Sequence, residues 1–137
     1  MTQGTFGTID TATTGVTFSR YWLDTLAHNL SNVNTVNPAG QEPFRARYLR
    51  AEEVLGGAGE SGNGVRLQEI TTAQGDAPVV YDPQNVNADA QGYVTHPLID
   101  VAGNMSDLIV AQRSYTMNIR VVQAAKEAYE SALRLGR

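Results

Sequence analysis

The sequence predicts a mainly α-helical fold. Long N- and C-terminal helices pair as a coiled-coil hairpin around a small β-rich, partly irregular insert. The basis is heptad spacing in residues 1–36, a second heptad pattern in residues 98–137, and turn chemistry between them. Residues 1–36 plus 98–137 then form the helical domain and residues 37–97 the insert. A chain of 137 residues suits one unit of this kind, since domains commonly run about 100–150 residues.

In the first segment Ile9, Val16, Leu23 and Leu30 stand seven apart. Ala12, Ser19, Leu26 and Val33 form a second row, offset by three. This is an a/d pattern interrupted by one serine. Phe6, Phe18 and Trp22 lie off the seam and widen the apolar face. Nine threonines among the first 36 residues lower helicity, because a β-branched side chain loses rotamer freedom in a helix. Such a helix is marginal alone and forms when something packs against it. Its only charged residues are Asp10, Arg20 and Asp24, so several of its faces are expected to be covered.

The turn chemistry follows at once. Asn29, Asn32, Asn34 and Asn37, then Pro38 and Gly40, end the first helix. Residues 44–54 alternate through Phe44, Ala46 and Tyr48 and read as a strand. Val65, Leu67 and Ile70 suggest a second strand, and residues 79–81 a third. Residues 56–64 form a Gly-rich flexible loop.

The last segment carries two rows again. Leu98, Met105, Gln112, Ile119, Lys126 and Leu133 are seven apart, and Val101, Leu108, Tyr115, Val122 and Tyr129 fill the other row. Gln112 and Lys126 read as polar a positions, which fix register at some cost in stability. Ala111, Ala124, Ala125, Lys126, Glu127, Ala128 and Ala132 are strong helix formers. Asn104 or Ser106 is the expected N-cap. The predicted hairpin sets Ile9, Val16, Leu23, Leu26 and Leu30 against Met105, Leu108, Tyr115, Ile119 and Val122.

Composition excludes several functions. The net charge is −4, which argues against nucleic acid as the partner, because phosphate binding needs a basic face. There is no cysteine, so disulfides, thiolate chemistry and Cys-bound zinc are excluded. No stretch approaches the ~18–20 apolar residues that span a membrane. Residues 1–19 hold no Lys or Arg and no apolar run, so no cleaved secretory signal is expected. Charge is uneven along the chain. Residues 37–112 hold ten acids and four bases, whereas residues 113–137 hold five bases and two acids.

No enzyme signature stands out, and no metal or cofactor is expected. His28 and His96 are far apart, and neither belongs to an HxxxH or HExxH pattern. Residues 85–89 hold Asn85, Asn87 and Asp89 but lack the glycine and terminal Glu of a calcium loop, so Asx-turns are expected there. The Gly-rich loop lacks the Gly-Lys-Ser/Thr ending of a phosphate cradle. Glu52 and Glu53 are adjacent, so in a strand they point to opposite faces. Ser31 and Ser114 lack a Gly-x-Ser-x-Gly frame. Arg113, Arg120, Arg134 and Arg137 read as ordinary cations near a helix C-terminus.

Two stretches carry a resemblance. Asn29-Leu30-Ser31-Asn32-Val33-Asn34-Thr35 resembles the Asn-Leu-Ala-Asn-x-Asn-Thr signature of bacterial flagellar rod and hook axial proteins. Tyr81-Asp82-Pro83, the run from Asn87 through Asp89, Gly92 and Tyr93 to Val94, then Pro97, Asp100 and Met105, is similar to the FlgC family of basal-body rod proteins. So is the run from Ala111 through Arg113, Ser114 and Tyr115 to Asn118, and so are Gly40, Pro43, Phe44 and Arg45. The resemblance covers nearly the whole chain.

It implies a structural subunit of the proximal rod, not an enzyme. The terminal helices would assemble into a tubular drive shaft that transmits torque and conducts exported subunits. The implied partners are other copies of the chain, other rod proteins and the flagellar type III export apparatus. The implied place is the periplasmic part of the basal body, reached without a cleaved signal. Two other readings stay open at this point, besides a small enzyme using His28 or His96, which the sequence favours least. One is a different rod subunit of the same superfamily. The other is a cytosolic helical adaptor or export-chaperone-like binding module.

Overall fold

The computed structural model describes residues 3–38, 40–55 and 62–136. Most of the 56–64 loop, and Arg137, lie outside the described residues, as does the side chain of Phe6. Two helices and four short strands follow in the order α1 (Gln3–Ser31), β1 (Arg47–Glu53), β2 (Val65–Thr72), β3 (Val79–Tyr81), β4 (Tyr93–Thr95) and α2 (Val101–Leu135). α1 packs along α2, and β1 and β2 lie against α1. The terminal helices therefore bracket a β-containing insert, as the heptad rows and turn residues predict.

α1 contains its threonines by bonding them back into the helix. Thr13 Oγ1 donates to the Ile9 carbonyl at 2.7 Å, Thr14 Oγ1 to that of Thr11 at 2.7 Å, and Thr17 Oγ1 to that of Thr13 at 3.0 Å. The side-chain hydroxyls are thus satisfied without leaving the helix. The helix ends where side chains take over its last carbonyls. Ser31 Oγ and Asn32 Nδ2 both donate to the His28 carbonyl, at 2.9 and 2.8 Å. Left-handed backbone at the asparagines is not used, for among the described residues only glycines have positive φ.

β1 and β2 form an antiparallel hairpin from Arg47↔Thr72 to Glu53↔Val65, with an irregularity between Arg50 and Ala51. Glu52 pairs with Arg66 across it. β3 pairs antiparallel with β4, from Val79↔Thr95 to Tyr81↔Tyr93. β4 is the strand the sequence pattern does not predict. Between β3 and β4 the Asx-turns form as expected. Asn85 Oδ1 accepts from Asn87 N at 3.1 Å, and Asp89 Oδ1 from Gln91 N and Tyr93 N at 2.9 and 2.8 Å. Gly92 closes this turn with φ +84°, and a Cβ there would sit 2.8 Å from the Tyr81 ring.

α2 begins earlier than expected. Its N-cap is Asp100, whose Oδ1 accepts from Gly103 N at 3.0 Å, rather than Asn104 or Ser106. Leu98 is not helical and instead forms a parallel bridge with Arg45. The buried core is thin. Among the described residues its apolar members are Ala12, Leu26, Ala46, Ala73, Val94 and Ala111, four of them alanines.

Candidate assembly interface

The helical hairpin is antiparallel, and two contacts set its register. Asn29 on α1 meets Asn104 on α2, where Nδ2 donates to Oδ1 at 3.1 Å. Fourteen residues towards the N-terminus, Gly15 meets Asn118. A Cβ on Gly15 would sit 2.7 Å from Asn118 Nδ2, so a larger residue there would have to push the Asn118 amide aside.

The seam between these contacts is built from small and polar residues. On α1 the buried row is Ala12, Ser19 and Leu26, followed by Asn29. On α2 the buried residues are Asn104 and Ala111. Leu108, Ser114, Tyr115, Asn118, Ile119 and Val122 are half-buried around them. Ile9, Val16, Leu23 and Leu30 are also half-buried and flank the α1 row.

Met105 departs from the expected seam. It is 55% exposed and does not lie in the hairpin seam. Gln112 and Lys126 are exposed too, so they are not buried a positions. The row that packs is Asn104, Ala111 and Asn118, one residue ahead of the Met105 row. Small side chains let two helices approach closely, and that displaces larger apolar neighbours to the outside.

Asn29 is the hub of this end of the hairpin. It is fully buried. Its Nδ2 donates to the Arg47 carbonyl at 2.8 Å, and its Oδ1 accepts from Arg47 N at 2.8 Å. The amide thus mimics a strand neighbour at the start of β1. Asn104 continues the chain of bonds, with Nδ2 donating to the Asp100 carbonyl at 2.7 Å. One connected network ties α1, β1 and the first turn of α2, and every member is satisfied.

The other signature residues are spread over the fold. Thr35 Oγ1 donates to Asn32 Oδ1 at 3.1 Å, while Asn34 is exposed. Val94 and Pro97 are buried, and the Tyr93 ring meets that of Tyr81 edge-on at 5.3 Å. Asn87 Nδ2 reaches back to the Val36 carbonyl at 2.9 Å, which anchors the β3–β4 turn on the chain leaving α1. Arg45 Nη1 donates to the carbonyls of Ala73 and Gly75, both at 3.1 Å. Arg113, like Asn34, is exposed.

Periodicity did not single out Asn104, Ala111 or Thr14. Thr14 Oγ1 accepts from Val65 N at 3.0 Å and seats the start of β2 on α1. The signal for Asn104 and Ala111 was a seven-residue row of small and polar residues, which a count of large apolar residues passes over.

No group of His, Asp or Glu that could hold a metal occurs among the described residues. The His28 and Phe44 rings meet at a 59° tilt with centres 5.4 Å apart. A cleft of about 250 Å³ opens between α1 and β1, lined by Phe18, Trp22, Leu26 and Leu49 with Arg47 and Asp107.

The family model "Flagellar basal body rod FlgEFG protein C-terminal" matches residues 90–135, which covers β4 and the whole of α2. Curated relatives align over much more of the chain. The flagellar basal-body rod protein FlgC of Escherichia coli O6:H1 is 33% identical over 93% of this chain and 94% of its own. The chain belongs to the FlgC family of flagellar basal-body rod proteins. FlgC of Salmonella typhimurium is 35% identical over 83% of this chain and 84% of its own. FlgC of Bacillus subtilis is 29% identical over 96% and 98%. Membership makes the chain a structural rod subunit of the flagellar basal body, ahead of the helical-adaptor reading. No helix among the described residues is long and apolar enough to cross a membrane.

Proposed function

We propose that the helical hairpin is the assembly element of this subunit, and that side-to-side packing of hairpins builds a tubular drive shaft. The tube transmits torque and lets later subunits pass through it. One observation carries the reading. The hairpin buries small and polar residues while Met105, Ile109, Val110, Met117 and Val121 on α2 stay exposed. Apolar surface of this extent on a monomer marks an interaction site. Torque then passes through contacts spread over many helices and needs no catalytic centre. Copies of the chain and other rod proteins are the partners, and neither nucleic acid nor a membrane span is involved.

The flagellar type III export apparatus is the proposed route. It delivers the chain to the periplasmic part of the basal body with its N-terminus uncleaved. Mass spectrometry of purified basal bodies should find the N-terminal peptide intact. A uniformly shortened N-terminus would contradict it.

The thin core suits a chain that must travel unfolded and fold on docking. In the isolated monomer the backbone amides of residues 5–33 should therefore exchange fast, and in assembled rods they should be protected. Strong protection in dilute monomer would count against folding on docking. Leu108→Asp places a charge on the half-buried seam without a partner, so it should block assembly. Wild-type swimming in that strain would remove Leu108 from the seam.

A further inference from the structure

The two helices of the hairpin carry opposite charge on their outer edges. Asp10, Thr17 and Asp24 each stand two residues before a member of the buried row Ala12, Ser19 and Leu26. At 3.6 residues per turn that is about 200° around α1, on the side away from α2. All three are exposed. On α2, Arg113 and Arg120 stand two residues past Ala111 and Asn118, and Glu127 and Arg134 continue the same seven-residue row. That row faces away from α1, and all four members are exposed. None of Asp10, Asp24, Arg113, Arg120 and Arg134 has an ion pair among the described residues.

Beside the arginines runs a second heptad stripe. Val110, Met117, Val121, Ala124, Ala128 and Leu135 follow a/d spacing and are all exposed. α2 therefore has two seams, one occupied by α1 and one open.

We infer that the open edge of α2 receives the α1 edge of a second copy, with Asp24 against Arg120 and Asp10 against Arg134. This rests on the chain being a self-assembling rod subunit. The spacings agree. Both the two aspartates and the two arginines are fourteen residues apart, about 21 Å along a helix. Copies that repeat with one polarity set the neighbour's α1 antiparallel to α2, as α1 and α2 already run within one subunit. In that register Glu127 falls opposite Thr17 and meets no acid. The two edges differ, so the contact is head-to-tail and propagates from copy to copy. Exposed ion pairs add little affinity singly, and their part here is to fix register on the apolar stripe.

The chain has no cysteine, which makes cross-linking unambiguous. Thr17→Cys and Glu127→Cys together, in swimming cells, should give disulfide-linked dimers and higher multiples in oxidised basal bodies. Either substitution alone should give none. Arg120→Asp with Arg134→Asp should lower the linked fraction at least about fivefold, and adding Asp10→Arg with Asp24→Arg should restore it. Swimming cells whose basal bodies contain the doubly substituted chain only as monomer would overturn the inference. So would a linked product with a protein of different mass. If purified basal bodies lack the chain altogether, it is the rod reading that fails, and the docking edge falls with it.

Discussion

Replacing Asn29 by alanine should cost about 3 kcal/mol in the docked hairpin, more than 100-fold in its population. The substitution removes three hydrogen bonds at once. It strips the N–H and the carbonyl of Arg47 of their partner and leaves Asn104 Oδ1 facing an empty site. Buried polar groups without partners cost far more than the mean value of a hydrogen bond. Counting hook-bearing basal bodies per cell by electron microscopy reads the effect in the assembled state, where the helices are docked. Near-complete loss is expected, and wild-type counts would show that the network contributes nothing to assembly. Asn104→Ala should cost less, because it breaks only one end of the chain of bonds. The two substitutions together should cost less than their sum, since they share the bond between the two amides.

Ala111→Leu should be the second large effect. A seam of ordinary leucines would accept the larger side chain and gain from it. Here Ala111 has no exposure, and Gly15 already touches Asn118. Three added carbons would force the helices apart by overpacking, at about 3 kcal/mol. Hook counts should fall by more than tenfold. Normal hooks with leucine at this position would mean that the hairpin is looser than the structure shows. Leu108→Met, which keeps volume at a half-buried site, should be tolerated and serves as the control.

The parts of this fold that were legible in the sequence are the ones that rest on period and on turn chemistry. The row Ala12, Ser19 and Leu26 stood out at seven-residue spacing, and the structure buries it. The Asn-rich end of α1 and the Asx-turns between β3 and β4 followed from side chains that bond their own backbone. On α2 the row through Leu108, Tyr115 and Val122 is half-buried along the hairpin, but the packed row Asn104, Ala111 and Asn118 lies one residue ahead of the Met105 row that the spacing predicts. Met105 and Leu133 of that row are exposed. Hydrophobic periodicity locates a buried row by its bulk, whereas closely packed helices bury their smallest residues.

The N-cap differs for a related reason. Seven-residue spacing draws Leu98 into the helical row and hides Asp100 as the cap, whereas Leu98 is held by its bridge to Arg45. Asn29 presented itself as a turn residue and a signature residue. Only the folded chain shows its amide completing the backbone pairing of Arg47, because that contact joins residues eighteen apart. The outer edges show the opposite case. The charges at Asp10, Asp24, Arg120 and Arg134 were visible from the start, but their arrangement on opposite sides of one hairpin is evident only once the buried rows are known.

The flagellar rod is built with this chain as a structural subunit. Electron microscopy of cells lacking the chain tests it most directly, with rods, hooks and filaments scored before and after the intact gene is returned. Everything distal stands on the rod, so hooks and filaments should both be absent and should both return. Normal hooks and normal swimming without the chain would contradict it.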